Sequence, residues 1–113
     1  MNIQIFGTKK CYDTKKAQRY FKERGVRFQF IDMKEKGMSR GEFSSVCRAA
    51  GGLANLVDPD CKDRALLTLI NCTPDHLKER KILENQEVIR TPVVRNGREA
   101  SVGYCPEVWK NWE

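Results

Sequence analysis

Ile3-Gln4-Ile5-Phe6-Gly7-Thr8-Lys9-Lys10-Cys11, followed by the lysine-rich segment from Tyr12 to Arg24, is the stretch that decides the fold. Ile3 and Ile5 alternate with Asn2 and Gln4, the period of a short strand with one buried face. Gly7 to Lys10 reads as a loop. From Tyr12 the period becomes helical: Thr14, Ala17 and Phe21 share a stripe with Tyr20 beside it, charges fill the rest, and Gly25 is a natural stop. Val26, Phe28 and Phe30 then alternate with Arg27 and Gln29, giving a second strand that runs to Asp32 or Met33. Strand, helix and strand on short connections form a βαβ unit, so the two strands are expected to be parallel with a right-handed crossover.

Outward from that unit, residues 34–85 read as mostly helical. Ser39 caps a helix through Cys47 or Ala50, which Gly51-Gly52 ends. Asp58-Pro59-Asp60 is a turn or cap leading into a helix over 61–70. Thr73-Pro74-Asp75 gives a cap and then a proline at the first position of a helix reaching about Glu84. Strand pattern returns with Val88-Ile89 and Thr91-Pro92-Val93-Val94. Asn96-Gly97 marks a hairpin into Ala100-Ser101-Val102. Cys105-Pro106 opens a final helix that Trp109 and Trp112 anchor by packing. The expected architecture is α/β: a four-stranded mixed sheet in the order βαβ, helical insert, ββα, within a single domain spanning 1–113.

The bulk properties agree. A chain of 113 residues suits one core, and 40% hydrophobic with 32% charged residues is a globular composition. No apolar run approaches the ~18 residues of a membrane span, and the first six residues are too short and polar for a secretory signal. A cytoplasmic monomer is expected, with no membrane partner. The net charge of +6 is scattered over Lys9-Lys10, Lys15-Lys16, Lys78 to Lys81, Arg95 and Arg98 with acids between. That pattern reads as solvated helix faces or an anionic substrate or partner, and no direct nucleic-acid contact is expected.

Five cysteines, at 11, 47, 61, 72 and 105, are an odd number with no Cys-x-x-Cys pair, and His76 is the only histidine. Neither a disulfide framework nor a metal site is expected. Cys47, beside Val46 on a helix, reads as core. Cys61 and Cys72 flank a helix and read as exposed, and His76 reads as solvent-facing. Cys11 differs, because a sulfur at the head of a helix meets unpaired N–H groups and the positive end of the helix dipole, which stabilise a thiolate. Its neighbours Lys10 and Tyr12 are not an apolar stripe, so it reads as reactive rather than as a packing residue. Thr91-Pro92 opens an apolar run directly before the hairpin. It fits a cis peptide or a trans proline at the first residue of an edge strand.

The run Ile3 to Cys11, the lysine-rich helix after it, Thr91-Pro92-Val93-Val94, and Val102-Gly103-Tyr104 before the last helix resemble the ArsC/Spx family along essentially the whole chain. That family contains glutaredoxin-linked arsenate reductases and Spx-type regulators that bind RNA polymerase. The resemblance implies a thioredoxin-like fold with a helical insert over about 34–85, Cys11 as the catalytic thiol, and Pro92 as a cis-proline facing it. Lys10, Tyr12, Thr14, Thr91 and Tyr104 would shape the pocket or stabilise the thiolate, and Lys9 and Arg90 would be anion contacts. Cys105, where the family places a residue beside the pocket, is the candidate resolving thiol. No bound cofactor is implied; glutathione would be the reductant, with glutaredoxin or thioredoxin as a protein partner.

The departures are specific. The reductases bind their oxyanion with three arginines, and this chain has Asp58, Thr91 and Tyr104 at those places. Arg90 is one residue off, and an offset of one in extended chain points a side chain to the other face. The Spx-type Cys-x-x-Cys switch is replaced by Cys11-Tyr12-Asp13-Thr14. The resemblance therefore leaves an ArsC-like thiol oxidoreductase with Cys11 as nucleophile, a non-catalytic Spx-like adaptor binding RNA polymerase or another protein, or a relative by fold alone with a vestigial cysteine.

Overall fold

The computed structural model describes residues 1–112. Strand β1 (Ile3–Gly7) leads to helix α1 (Tyr12–Glu23) and strand β2 (Phe28–Asp32). Helices α2 (Arg40–Ala50), α3 (Arg64–Asn71) and α4 (Asp75–Glu84) follow, then β3 (Val93–Asn96), β4 (Glu99–Val102) and a short α5 (Pro106–Trp109). The strands form one sheet in the order β2-β1-β3-β4. The β1–β2 pair is parallel, as the βαβ reading requires, and β1–β3 and β3–β4 are antiparallel.

The alternation along β1 divides the core. Ile3 and Ile5, with Val94 of β3, pack against Ala17, Tyr20 and Phe21 of α1 and Trp109 of α5. Phe6, with Val93, turns to the other face and meets Phe43 and Val46 of α2, Leu56, Ile70, Ile82 and Val88. Helices α1 and α5 thus cover one face and the helical segment covers the other. Trp109 is fully buried, and its indole N–H donates to Ser101 Oγ at 2.7 Å across the sheet edge. The expected α/β class with a four-stranded mixed sheet is what the chain adopts.

Local signals explain most boundaries. Gly25 (φ +67) ends α1: its N–H bonds to Lys22 O and the Val26 N–H to Phe21 O, while Val26 packs on the Phe21 cluster. Ser39 caps α2 in a reciprocal box with Glu42. In the hairpin Asn96 pairs with Glu99, so the two loop residues are Gly97 and Arg98. The positive φ falls on Gly97, the position that type II′ turns give to glycine.

Four expectations need correction. Helix α3 starts at Arg64, later than the expected 61, because Asp63 is its cap and accepts from the Leu66 N–H; Asp58 instead folds onto the Asp60 N–H. Cys61 is consequently not exposed. It turns inward as part of the larger cluster, with its thiol 3.6 Å from Glu87 O. Thr73 does not cap α4: its hydroxyl donates backward to Leu69 O at 2.6 Å, and Pro74 holds the cap position with extended backbone. Val88 and Ile89 are not a strand but the end of a 3-10 turn and a single bridge to Val57.

Candidate functional site

Residue Cys11 stands where β1, after a tight turn, becomes α1. Its N–H closes the turn on Thr8 O (3.2 Å) and its carbonyl receives the first helical bond from Lys15 N–H (3.2 Å). The backbone at Cys11 is extended (φ −73°, ψ 120°), so it holds the N-cap position of α1, without a capping hydrogen bond of ordinary geometry to its side chain. Directly beneath, Thr14 is fully buried. A Cβ at Gly7 would overlap the Thr14 side chain, so only glycine at the end of β1 lets Thr14 close against it. The buried Thr14 hydroxyl forms no hydrogen bond of ordinary geometry, yet it lies near enough to the sulfur to favour its thiolate form.

A second threonine arrives from far along the chain. The Thr91–Pro92 peptide is cis, the first of the two readings of that motif, and Pro92 is buried. Thr91 Oγ1 donates to Cys11 Sγ at 3.0 Å, whereas the Cys11 thiol reaches Thr91 O only at 3.7 Å. The shorter bond favours the thiolate. Burial pushes the Cys11 thiol up, but the side chains of Thr14 and Thr91 and the N–H groups of Thr14 and Asp13 together outweigh it. The net position lies below an ordinary cysteine.

Two surfaces of opposite charge lie near the thiol, and they share no lining residue. On one side Thr8 and Thr91 border a cleft of 690 Å³ with Met33, Cys61, Leu83 and Ile89 in its wall. The charged residues of that cleft are Asp58, Asp60, Asp63, Glu84 and Glu87 against Lys34 and Lys62. Asp58 therefore belongs to an acidic cleft. On the other side Tyr104 packs edge-on against Trp109 (5.4 Å, 84°), and Lys16 Nζ lies 4.4 Å from the Tyr104 ring centre and 5.6 Å from that of Tyr12.

The structure brings together Cys11, Thr14 and Thr91, with Pro92 next in chain. Lys9 and Lys10 are exposed in the turn before Cys11, and Tyr12 is 72% exposed beside it. Arg90 points elsewhere: its guanidinium lies against Gly103, and it lines a groove with Cys105, Asn55 and Val108. Alternation along extended chain explains this, since Thr91 takes the side facing the sulfur. The Cys105 thiol bonds Val102 O at 3.3 Å in that separate groove. Burial and then Glu107 push the Cys105 thiol up, only partly opposed by Arg90 and by the Val102 backbone. Cys47 is raised too, by burial and Glu79, while Cys72 and His76 are exposed. Among the described residues no group of three or more His, Cys, Asp or Glu side chains is arranged to hold a metal ion. No helix is long and apolar enough to cross a membrane, among the same residues.

Sequence reasoning gave Gly7, Cys61 and Lys16 no role in the site. Gly7 carried a usable signal, a glycine ending a strand ahead of a functional loop; the other two carried none, since both depend on elements distant in sequence.

No protein-family model and no curated protein matches the chain by sequence. Solved structures do. A protein related to the ArsC family from Bacteroides fragilis superposes with a TM-score of 0.83 at 15% identity, covering 100% of this chain and 98% of its own. An arsenate reductase from Vibrio cholerae gives 0.81 at 20% identity, covering 98% and 97%. An arsenate reductase (ArsC) related protein from Brucella melitensis gives 0.63 at 18%, covering 99% and 94%. At such identities the likeness is one of architecture: this protein has the thioredoxin-like fold of the ArsC-type structures, with a single hydrogen-bonded thiol at the head of its first helix.

Proposed function

We propose that the protein is a thiol oxidoreductase in which the Cys11 thiolate attacks a disulfide sulfur. The new Cys11 S–S bond forms as the substrate's S–S bond breaks, and the departing sulfur leaves as a thiolate that takes a proton from water. A thiol such as glutathione, or a glutaredoxin- or thioredoxin-type dithiol, then attacks the mixed disulfide and returns Cys11 to the thiolate. What carries this reading is the 3.0 Å hydrogen bond from Thr91 Oγ1 to Cys11 Sγ at a helix head. Disulfide rather than arsenate chemistry is favoured because the three arginine positions hold Asp58, Thr91 and Tyr104, and the one nearby arginine, Arg90, faces another groove. Without bidentate guanidinium contacts an oxyanion has little to hold it.

The test is the pH dependence of iodoacetamide alkylation in the wild-type protein and Cys11→Ser, with the modified sites located by mass spectrometry. Cys11 is expected to alkylate first and with a midpoint below that of free cysteine, ~8.5, ahead of Cys47 and Cys105. An ordinary or raised midpoint at Cys11 would remove the basis for the reading. In parallel, glutathione-dependent reduction of a small disulfide is expected to need Cys11, and arsenate turnover with glutathione and glutaredoxin to be absent.

A further inference from the structure

Running away from the thiol along one face of α1 is a shallow groove of 250 Å³ lined by Lys16, Arg19, Arg24, Tyr20, Tyr104 and Pro106, with Glu23 its one acid. Two of the three cations are held by aromatic rings rather than by carboxylates. Lys16 Nζ lies over Tyr104 at 4.4 Å and near Tyr12 at 5.6 Å. The Arg24 guanidinium stacks 3.7 Å from the Tyr20 ring centre, and its Nη1 donates to Tyr20 O at 3.2 Å. A cation over a ring face is positioned without being neutralised. Among the described residues no carboxylate forms an ion pair with Lys16, Arg19 or Arg24; the ion pairs are Lys78–Asp75 and Arg80–Glu84.

The upper end of this strip adjoins Tyr12, the neighbour of Cys11. From residue 16 to residue 24 the helix rises about 12 Å at ~1.5 Å per residue. That is longer than one small anion can span and equals three or four residues of extended chain at ~3.3 Å each. Beyond the thiol the charge changes sign, in the acidic cleft of Asp58, Asp60 and Asp63. Lys9 and Lys10, exposed in the turn before Cys11, carry positive charge up to the thiol itself.

We propose that this groove docks an acidic segment of the polypeptide whose disulfide Cys11 attacks, a proposal that rests on the thiol reading of the site. The segment lies along α1 with its carboxylates on Lys16, Arg19 and Arg24, and the cysteine following it meets the helix head. The covalent step is the exchange described above; the groove contributes only to encounter and orientation.

The experiment uses two synthetic peptides, each with one cysteine blocked as a neutral 2-thiopyridyl disulfide, one flanked by glutamates and one by lysines. Release of the thiopyridone is followed, and the rate of the Cys11→Ser protein is subtracted. At low ionic strength the glutamate peptide is expected to react about tenfold faster, with the preference fading as salt rises toward ~1 M, where the Debye length is only about 3 Å. Lys16→Glu/Arg19→Glu/Arg24→Glu is expected to reverse the preference; the same three positions changed to Gln, should charge reversal unfold the helix, are expected to abolish it. Arg40→Glu/Arg48→Glu/Arg98→Glu makes the same charge change outside the groove and is expected to keep it. Equal rates for the two peptides, or equal effects of both charge-reversal triples, would overturn the proposal. So would a matching loss of iodoacetamide reactivity in the groove variants, since the thiol itself would then have changed. An ordinary alkylation midpoint at Cys11 with the peptide preference intact would defeat the oxidoreductase reading and leave the groove standing.

Discussion

At the residue scale the proposed thiolate chemistry rests on two hydroxyls. Thr91 supplies the formed bond to the Cys11 sulfur and Thr14 an unpartnered donor below it. Thr91→Val keeps the shape and removes the donor. It is expected to raise the alkylation midpoint of Cys11 and slow alkylation near neutral pH by roughly fivefold, the equivalent of about 1 kcal/mol for one hydrogen bond to a partly exposed charge. A pH–rate profile of both proteins checks this; superimposable profiles would remove Thr91 from the thiolate's support. The same lowered thiol carries a stability signature. Between the folded-state value of Cys11, which lies lower, and the ordinary thiol value, ~8.5, the unfolded chain holds a proton that the folded one has released. Stability therefore rises with pH across that window, and the contribution is lost as pH falls through the folded-state value. Denaturant titrations of wild type and Cys11→Ser at several pH values are expected to diverge in that direction, the wild type gaining as pH rises through that window.

At the scale of elements, the molecule is governed by caps and turns. The Ser39–Glu42 box satisfies two backbone N–H groups at the start of α2, which carries Phe43 and Val46 into the larger cluster. Ser39→Ala is expected to cost about 1 kcal/mol, read as a lower denaturation midpoint with an unchanged slope; no shift would mean that packing alone sets the start of this helix. These signals are short-range, so Ser39, Gly25 and Asn96-Gly97 were legible from the chain alone. Cap choice among several acids was not. Asp58, Asp60 and Asp63 are equivalent on paper; in the fold Asp63 caps α3 while Cys61 turns inward onto Glu87.

At the scale of the whole molecule, one sheet separates two apolar clusters, and Phe21 and Phe43 are fully buried, one in each. Phe21→Ala and Phe43→Ala are each expected to cost about 3–5 kcal/mol, a large part of the stability of a chain this size. Because β1 and β3 contribute to both clusters, both variants are expected to shift a single transition, coincident by far-UV circular dichroism and tryptophan fluorescence. Separate transitions would show that the helical segment unfolds on its own.

The sequence by itself determined the order of the main elements, the parallel βαβ start, the hairpin, and the place of Cys11 at a helix head. Each follows from a period, a cap or a glycine acting within a few residues. Only the tertiary structure decided what surrounds the sulfur. Thr91 reaches Cys11 from 80 residues away, Arg90 is turned to another groove by strand alternation, and Lys16 finds the Tyr104 ring across the gap between α1 and α5. Such contacts depend on how the finished sheet brings distant segments together, and no local pattern encodes that distance. The thiol at the helix head was therefore legible in the chain, while the threonines that tune it and the oppositely charged surfaces near it belong to the fold.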